Sequence, residues 1–203
     1  GYEIYISGSS SKLLSKEIST SLRGRSLSFL MLPFSFKEFL GIKGFVYNPL
    51  LSTEEKIKLL GYLDEYMDFG SFPEIILDSN NDNKIKNLES YFDLTIYKDI
   101  MERHKIKDSV LLKWFLKILF TSYSKEFSIN KIYLTLKSQG RKISKDELYF
   151  YSSVIEDSLI VFYLPKFSYS IRKREPVSKV YLCDVGFSKI IGSYKGIGKK
   201  DGN

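Results

Sequence analysis

The chain has 203 residues, 43% of them hydrophobic, with fifteen Tyr, fifteen Phe, one Cys and a net charge of +7. That length and apolar content support a buried core arranged as two subdomains, and exclude a disordered or fibrous chain. One cysteine excludes an intrachain disulfide framework and no apolar run reaches the roughly 20 residues of a membrane helix, so the expectation is a cytoplasmic protein without a membrane partner.

Glu3–Ser7 alternates and is rich in β-formers, Gly8–Ser11 is a small polar loop, Leu13–Leu22 is helical up to Gly24, and Ser28–Leu32 reads as a second strand before Pro33. Strand, loop, helix, strand is the repeating piece of an α/β sheet, so residues 1–50 are expected to be the later part of an α/β core. From Ser52 the character turns helical. Ser52 or Thr53 caps a helix to about Asp68, acidic in its first turn, with Ile57, Leu60, Leu63 and Met67 expected on its inner face. Gly70–Pro73 breaks it, and the polar stretch Asp78–Asn83 is the best internal boundary, closing a helical segment over 51–82.

A long helix is expected from about Asn83 to His104, with Leu88, Tyr91, Phe92, Thr95, Ile96 and Ile100 inward. Asp99, Glu102 and Arg103 fall outward, where local ion pairing is the common meaning of such a triplet. His104 is the only histidine, so a histidine metal cluster or catalytic triad is not expected, and no metal site is assigned. Ser109–Ser122, rich in Leu and Phe around Trp114, reads as a buried helix.

The charge excess is confined to the C-terminal part of the chain. Lys plus Arg against Asp plus Glu stand at 8 to 8 over residues 1–70, 8 to 8 over 71–124 and 15 to 8 over 125–203. Such segregation points to a polyanion-facing surface. Ser128 caps a helix over Ile129–Gln139 that stops at Gly140; after the turn Arg141–Ile143, Ser144 caps a second helix to about Asp157, with Glu147 three residues on as a capping box and Leu148, Tyr151, Ser152 and Ile155 inward. Two β-rich runs, Leu159–Leu164 and Lys179–Cys183, flank a long hairpin carrying Arg172, Lys173 and Arg174. Helix, turn, helix, basic hairpin is the layout of a winged helix-turn-helix over 108–184, inside a mainly helical region 83–184; residues 185–203 read as a frayed tail. On that layout Ser144, Lys145 and Tyr149 would face bases or backbone of duplex DNA, while Arg141, Lys142, Lys166, Arg172, Lys173 and Arg174 neutralise phosphates. Winged helices also serve as protein-docking modules, and that alternative stands beside the first.

Several stretches in register carry a resemblance: I-S-G-S-S-S-K-L-L with L-P-F-S-F-K-E-F-L, then D-E-Y-M-D-F-G-S-F-P-E-I-I-L, Y-F-D-L-T-I-Y-K-D-I-M-E-R-H-K-I, L-K-S-Q-G-R-K-I-S-K-D-E-L and K-V-Y-L-C-D-V-G-F. Up to about Ile191 the chain resembles the later part of archaeal and bacterial AAA-type P-loop ATPases that carry a C-terminal domain of unknown function. The resemblance implies an α/β remnant of a P-loop ATPase domain followed by the winged-helix region, with Gly70–Pro73 in the nucleotide lid. It implies a γ-phosphate sensor at Ser9 or Ser10, and an arginine finger at Arg23 or Arg25 directed at a neighbouring subunit's nucleotide, roles that suit a hydroxyl and a guanidinium beside a transferring phosphoryl group. A Gly-Arg turn solvating a helix end is the competing meaning of Arg23 and Arg25. A restriction-endonuclease-like region commonly follows in such proteins, but Asp184 alone cannot make a nuclease and is expected to be structural.

One departure limits the activity expected. No G-x-x-x-x-G-K-[ST] is present, and Gly196-Ile197-Gly198-Lys199-Lys200 lacks both the first glycine and the final Ser or Thr. ATP and Mg are therefore expected only in a complete family protein, with no cofactor for this chain alone. The expectation is a portion of a longer ATPase or a truncated gene product, inactive in hydrolysis by itself.

Overall fold

A computed structural model describes residues 3–8, 25, 27, 29–167 and 177–193, with side chains as far as 190. The first helix, α1 (Phe36–Ile42), and the second, α2 (Thr53–Phe69), both start with a capping box. Ser35 and Glu38 close one, Ser52 and Glu55 the other, each serine oxygen accepting from the N3 amide while the glutamate accepts from the cap amide. Proline at the first position of α3 (Pro73–Leu77) costs no hydrogen bond there.

The burial of α2 differs from the expected one. Leu59, Tyr62 and Tyr66 face inward, against Phe34, Phe36, Phe39, Leu40, Phe45 and Ile76. Phe39 meets the ring of Tyr66 at 5.5 Å and that of Tyr62 at 6.3 Å, both edge-on, and the Tyr66 hydroxyl donates to the Phe34 carbonyl at 3.1 Å. The aliphatic stripe expected inside is exposed instead: Ile57 66%, Leu60 60%, Leu63 38% and Met67 47%. The aromatic face wins because α1 offers a matching set of rings, and large rings carry more buried area than the aliphatic stripe. The expected strands at Glu3–Ser7 and Ser28–Leu32 carry no ladder over their described residues, since a lone strand has no partner for its N–H and C=O groups. The expected helix at Leu13–Leu22 lies outside the described residues.

Asn80 caps α4 (Asn81–Leu94), its side chain accepting from Asp82 N and Asn83 N. The single helix expected to His104 instead changes pitch into a π-helical segment, Thr95–Glu102. Thr95, at the change, donates its hydroxyl to the Tyr91 carbonyl at 2.8 Å, a bond that competes with the regular ladder. The Asp99–Arg103 ion pair, 3.4 Å, lies on this segment as a local i,i+4 contact. Then come α5 (Ser109–Thr121), β1 (Glu126–Ser128), α6 (Ile129–Ser138), α7 (Lys145–Asp157), β2 (Val161–Pro165), β3 (Val177–Leu182) and α8 (Phe187–Ser193).

The three strands form one antiparallel sheet in the order β1-β3-β2, with Phe127 opposite Ser178 and Tyr163 opposite Val180. Helix α5 is the centre of the core: Leu112, Phe115, Leu116 and Leu119 are fully buried, and Phe115 touches Phe127 of β1 and Tyr151 of α7 at ring distances of 5.9 and 6.3 Å. Each such side chain contributes about 1.5–3 kcal/mol of burial. Phe69 and Ile75 join this cluster, so the end of α2 and all of the C-terminal sheet share one core.

Candidate nucleic-acid interface

The candidate surface is built where α6 meets α7. Ile129, Ile132 and Leu136 of α6 are buried, and so are Leu148, Tyr151, Val154 and Ile155 of α7, which fixes the two helices against one core and turns their other faces out. Gly140 takes φ +75°, the left-handed turn that ends α6, and Arg141 N closes it on the Leu136 carbonyl at 3.1 Å. Ser144 Oγ then accepts from Glu147 N at 3.0 Å to start α7. Glu147 does not complete the expected box; its carboxylate accepts from the Tyr151 hydroxyl at 3.3 Å. Burial first, and the Glu147 charge second, push that phenol up to about 12.

Arg141, Lys142, Ser144, Lys145 and Tyr149 are all exposed, the first four in a run of five residues. Lys145 lies with its ammonium 5.9 Å from the Tyr133 ring, and Lys137 of α6 stands at 5.9 Å from the same ring. One half-buried tyrosine thus collects a cation from each helix. Lys137 was not among the residues the sequence singled out; its signal was the four-residue spacing from Tyr133, which puts both on one side of α6. Asp146, exposed in the first turn of α7, suits the positive end of that helix and opposes a phosphate there. Lys166 is exposed just past β2, and Lys179 is exposed on β3, opposite Glu126 on one side and Leu164 on the other. Arg172, Lys173 and Arg174 lie outside the described residues, as do Ser9, Ser10 and Arg23; Arg25 is described and exposed. No cluster of His, Cys, Asp and Glu able to hold a metal ion occurs among the described residues.

A second constellation carries no signal in the sequence. Asp184, only 3% exposed, accepts from Ser71 N at 2.8 Å, from Ser71 Oγ at 3.1 Å and from Gly186 N at 2.8 Å, joining the turn after α2 to the turn after β3. The Ser71 carbonyl also accepts from Phe34 N at 3.1 Å. The clasp needs two glycines: a Cβ on Gly70 would come within 1.7 Å of the Asp184 carboxylate, and one on Gly186 within 2.5 Å of the Phe69 carbonyl. Burial raises the Asp184 carboxyl above its ordinary range, against the pull of its three donors. The three bonds tie two turns that lie far apart in the chain. The neighbouring Cys183 thiol is pushed up to about 12 by burial and by Asp184, which leaves no reactive thiolate.

Beside it, Glu65 of α2 takes Lys43 at 2.9 Å and the buried Lys84 of α4 at 2.5 Å. Partial burial raises the Glu65 carboxyl, but the two lysines outweigh it and hold the group below its ordinary range. Lys84 also sits 4.9 Å from the Phe69 ring.

Comparison with known proteins gives matches to two family models. An AAA domain model matches residues 1–40, and the model of a domain of unknown function, DUF8612, matches residues 60–194. The chain is 45% identical, over 91% of its length, to the uncharacterised protein MJ1544 of Methanocaldococcus jannaschii, and 30% identical, over 99% of its length, to an uncharacterised protein of Haemophilus influenzae. It spans 42% and 47% of those two relatives, less than half of each. No solved structure matches. With the larger of the two models covering most of its length, the chain belongs to the DUF8612 family.

Proposed function

We propose that the chain is the nucleic-acid-binding portion of an AAA-type ATPase, in which ATP and Mg are held by a phosphate loop elsewhere in the complete protein. The observation that supports the DNA reading is the order α5, β1, α6, α7, β2, β3 with sheet order β1-β3-β2, which is compatible with a winged helix, together with the positive excess of the chain, which lies from β1 onward after residue 125. The AAA-domain match at residues 1–40 supports the ATPase half of the reading.

Duplex DNA would be held mainly through phosphates. Arg141, Lys142 and Lys145, joined by Lys137 across the Tyr133 ring, neutralise one stretch of backbone, and the basic hairpin with Lys166 and Arg172–Arg174 takes a second. Ser144 and Tyr149 are the groups placed to meet base edges or sugar from the start of α7. Asp146 disfavours deep entry of the α7 N-terminus, so the sequence-independent phosphate term dominates. A protein partner is the second reading, supported by Tyr149 and Phe150 standing exposed side by side on α7.

The test is a fluorescence titration with a short DNA duplex at two salt concentrations, with an ATP analogue titrated alongside. Binding that weakens with salt is expected, and the double variant Lys142→Glu, Lys145→Glu should reduce the log–log salt slope by roughly 2. Retention of DNA unchanged by that variant and by glutamates at Arg172–Arg174 would sink the DNA reading. Tight nucleotide binding by this chain alone would overturn the assignment of ATP to another segment.

A further inference from the structure

We propose that the turn between the π-helical segment and α5 is a second phosphate-holding edge beside α7, formed by Lys105 and Lys107, so that the nucleic acid bound is a duplex held by both of its strands. This rests on the nucleic-acid half of the proposed function and deepens it. The two lysines belong to a stretch in which basic and acidic residues balance, 8 to 8 over residues 71–124, so composition gives them no prominence.

The outward arc of α7 has two edges. At 3.6 residues per turn Lys145 and Phe150 lie about 140° apart around the helix, with Tyr149, Ser153 and Asp146 exposed between them. At the Lys145 edge stand Tyr133 and Lys137 of α6, both lysines 5.9 Å from the tyrosine ring. At the Phe150 edge stands His104, whose ring meets that of Phe150 edge-on at 6.1 Å. Helix α7 is therefore flanked by α6 on one side and by the turn that carries His104 on the other.

That turn is held in place. Ile106 is buried in the same core as Tyr151 and Ile155, its amide donates to the Met101 carbonyl at 3.0 Å, and the Lys105 amide donates to the Glu102 carbonyl at 3.3 Å. Lys105 takes φ +53°, a left-handed conformation that an ordinary side chain adopts only where its surroundings fix it. With Ile106 turned in, Lys105 and Lys107 on either side of it are both exposed. Of the neighbouring acids, Asp99 pairs with Arg103 at 3.4 Å and Asp108 caps α5 by accepting from Leu111 N at 2.8 Å, which leaves Glu102 on the turn and Asp146 on the arc.

A helix with its side chains is about 10–12 Å across, close to the roughly 12 Å width of a major groove. Cations on both edges of such a helix match the two phosphate rims of one groove. Lys137 and Lys145 then take one strand and Lys105 and Lys107 the other, and α7 lies across the mouth of the groove without the deep entry that Asp146 opposes.

The test is the salt dependence of binding to two duplexes of one sequence, one natural and one with neutral methylphosphonate linkages along a single strand. The variant is Lys105→Asn, Lys107→Gln, asparagine being a residue that accepts a left-handed φ. On the natural duplex it should lower the log–log salt slope by roughly 2, two phosphate contacts at about 0.9 each. On the half-neutral duplex it should leave the slope unchanged, because the one charged strand is taken by the stronger edge, that of Arg141, Lys142 and Lys145. Lys107→Gln alone, at a residue without positive φ, should lower the natural slope by roughly 1, and the melting temperature of both variants should match the parent's. An unaltered slope on the natural duplex overturns the inference, and so does an equal drop on both duplexes, which puts both edges on one strand. A slope lowered by Lys142→Glu, Lys145→Glu but not by the turn variants removes this edge and leaves the proposed function standing. Absence of salt-sensitive binding by the parent chain removes both.

Discussion

The N-terminal third and the region from α4 to β3 are built from similar proportions of apolar residue, yet they use them differently. In the second region α5 is surrounded: Leu112, Phe115, Leu116 and Leu119 are fully buried under α6, α7 and the sheet. In the first, Phe39, Leu40 and Ile76 form a small core of their own while Ile4, Tyr5, Phe29, Met31, Leu50 and Leu60 stand in the open. Composition therefore does not tell a closed core from an open apolar face. What distinguishes them, among the described residues, is how much of each apolar face meets another element.

That contrast can be broken by mutation. The largest effect is expected in the closed core, where Leu116→Ala should cost about 3 kcal/mol in chemical denaturation, while Leu60→Ala, the same truncation on the open face, should move the same midpoint by under about 0.5 kcal/mol. Equal costs would mean that the α2 stripe is already covered in this chain. Next comes the clasp that joins the two regions. Gly70→Ala places a Cβ on the Asp184 carboxylate at a φ of +73° and should cost about 3 kcal/mol, accompanied by loss of two-state melting if the regions then separate.

The smallest expected effect is a pH dependence, which sharpens what the clasp contributes. Asp184 is raised in the folded protein, so the native state keeps its proton where the unfolded chain, with a carboxyl near about 4, has released it. Its contribution is fully present below the unfolded value and is lost as pH rises through the raised folded one. Urea midpoints of the native protein minus those of Asp184→Asn should accordingly fall as the pH is raised from about 4 to about 8. A flat difference would mean that the donors from Ser71 and Gly186 cancel the burial cost.

Much of the fold is legible in the sequence. Ser144 caps the helix assigned to it, Ser52 is the cap of the two candidates Ser52 and Thr53, Gly140 stops α6, and the inner face Leu148, Tyr151, Ser152 and Ile155 of α7 is buried as its spacing predicts. The hairpin strands fall within two residues of their expected bounds. Caps, turns and periodicity are local, decided within four or five residues, and the sequence states them directly. The three residues of β1 are too short to announce themselves, and the π-helical turn at Thr95 depends on a side-chain bond that competes with the ladder.

By itself, then, the sequence determined where helices begin and end, that the positive charge collects after residue 125, and that no phosphate loop lies in these 203 residues. Only the tertiary structure decided which side of α2 is buried, that Lys84 lies inside against Glu65, that Lys137 and Lys145 share the ring of Tyr133, and that Asp184 clasps a turn 113 residues away. The physical reason is range. A helix signal needs only its own neighbours, whereas the choice between two apolar faces, or the placing of a buried charge, is set by partners distant in the chain.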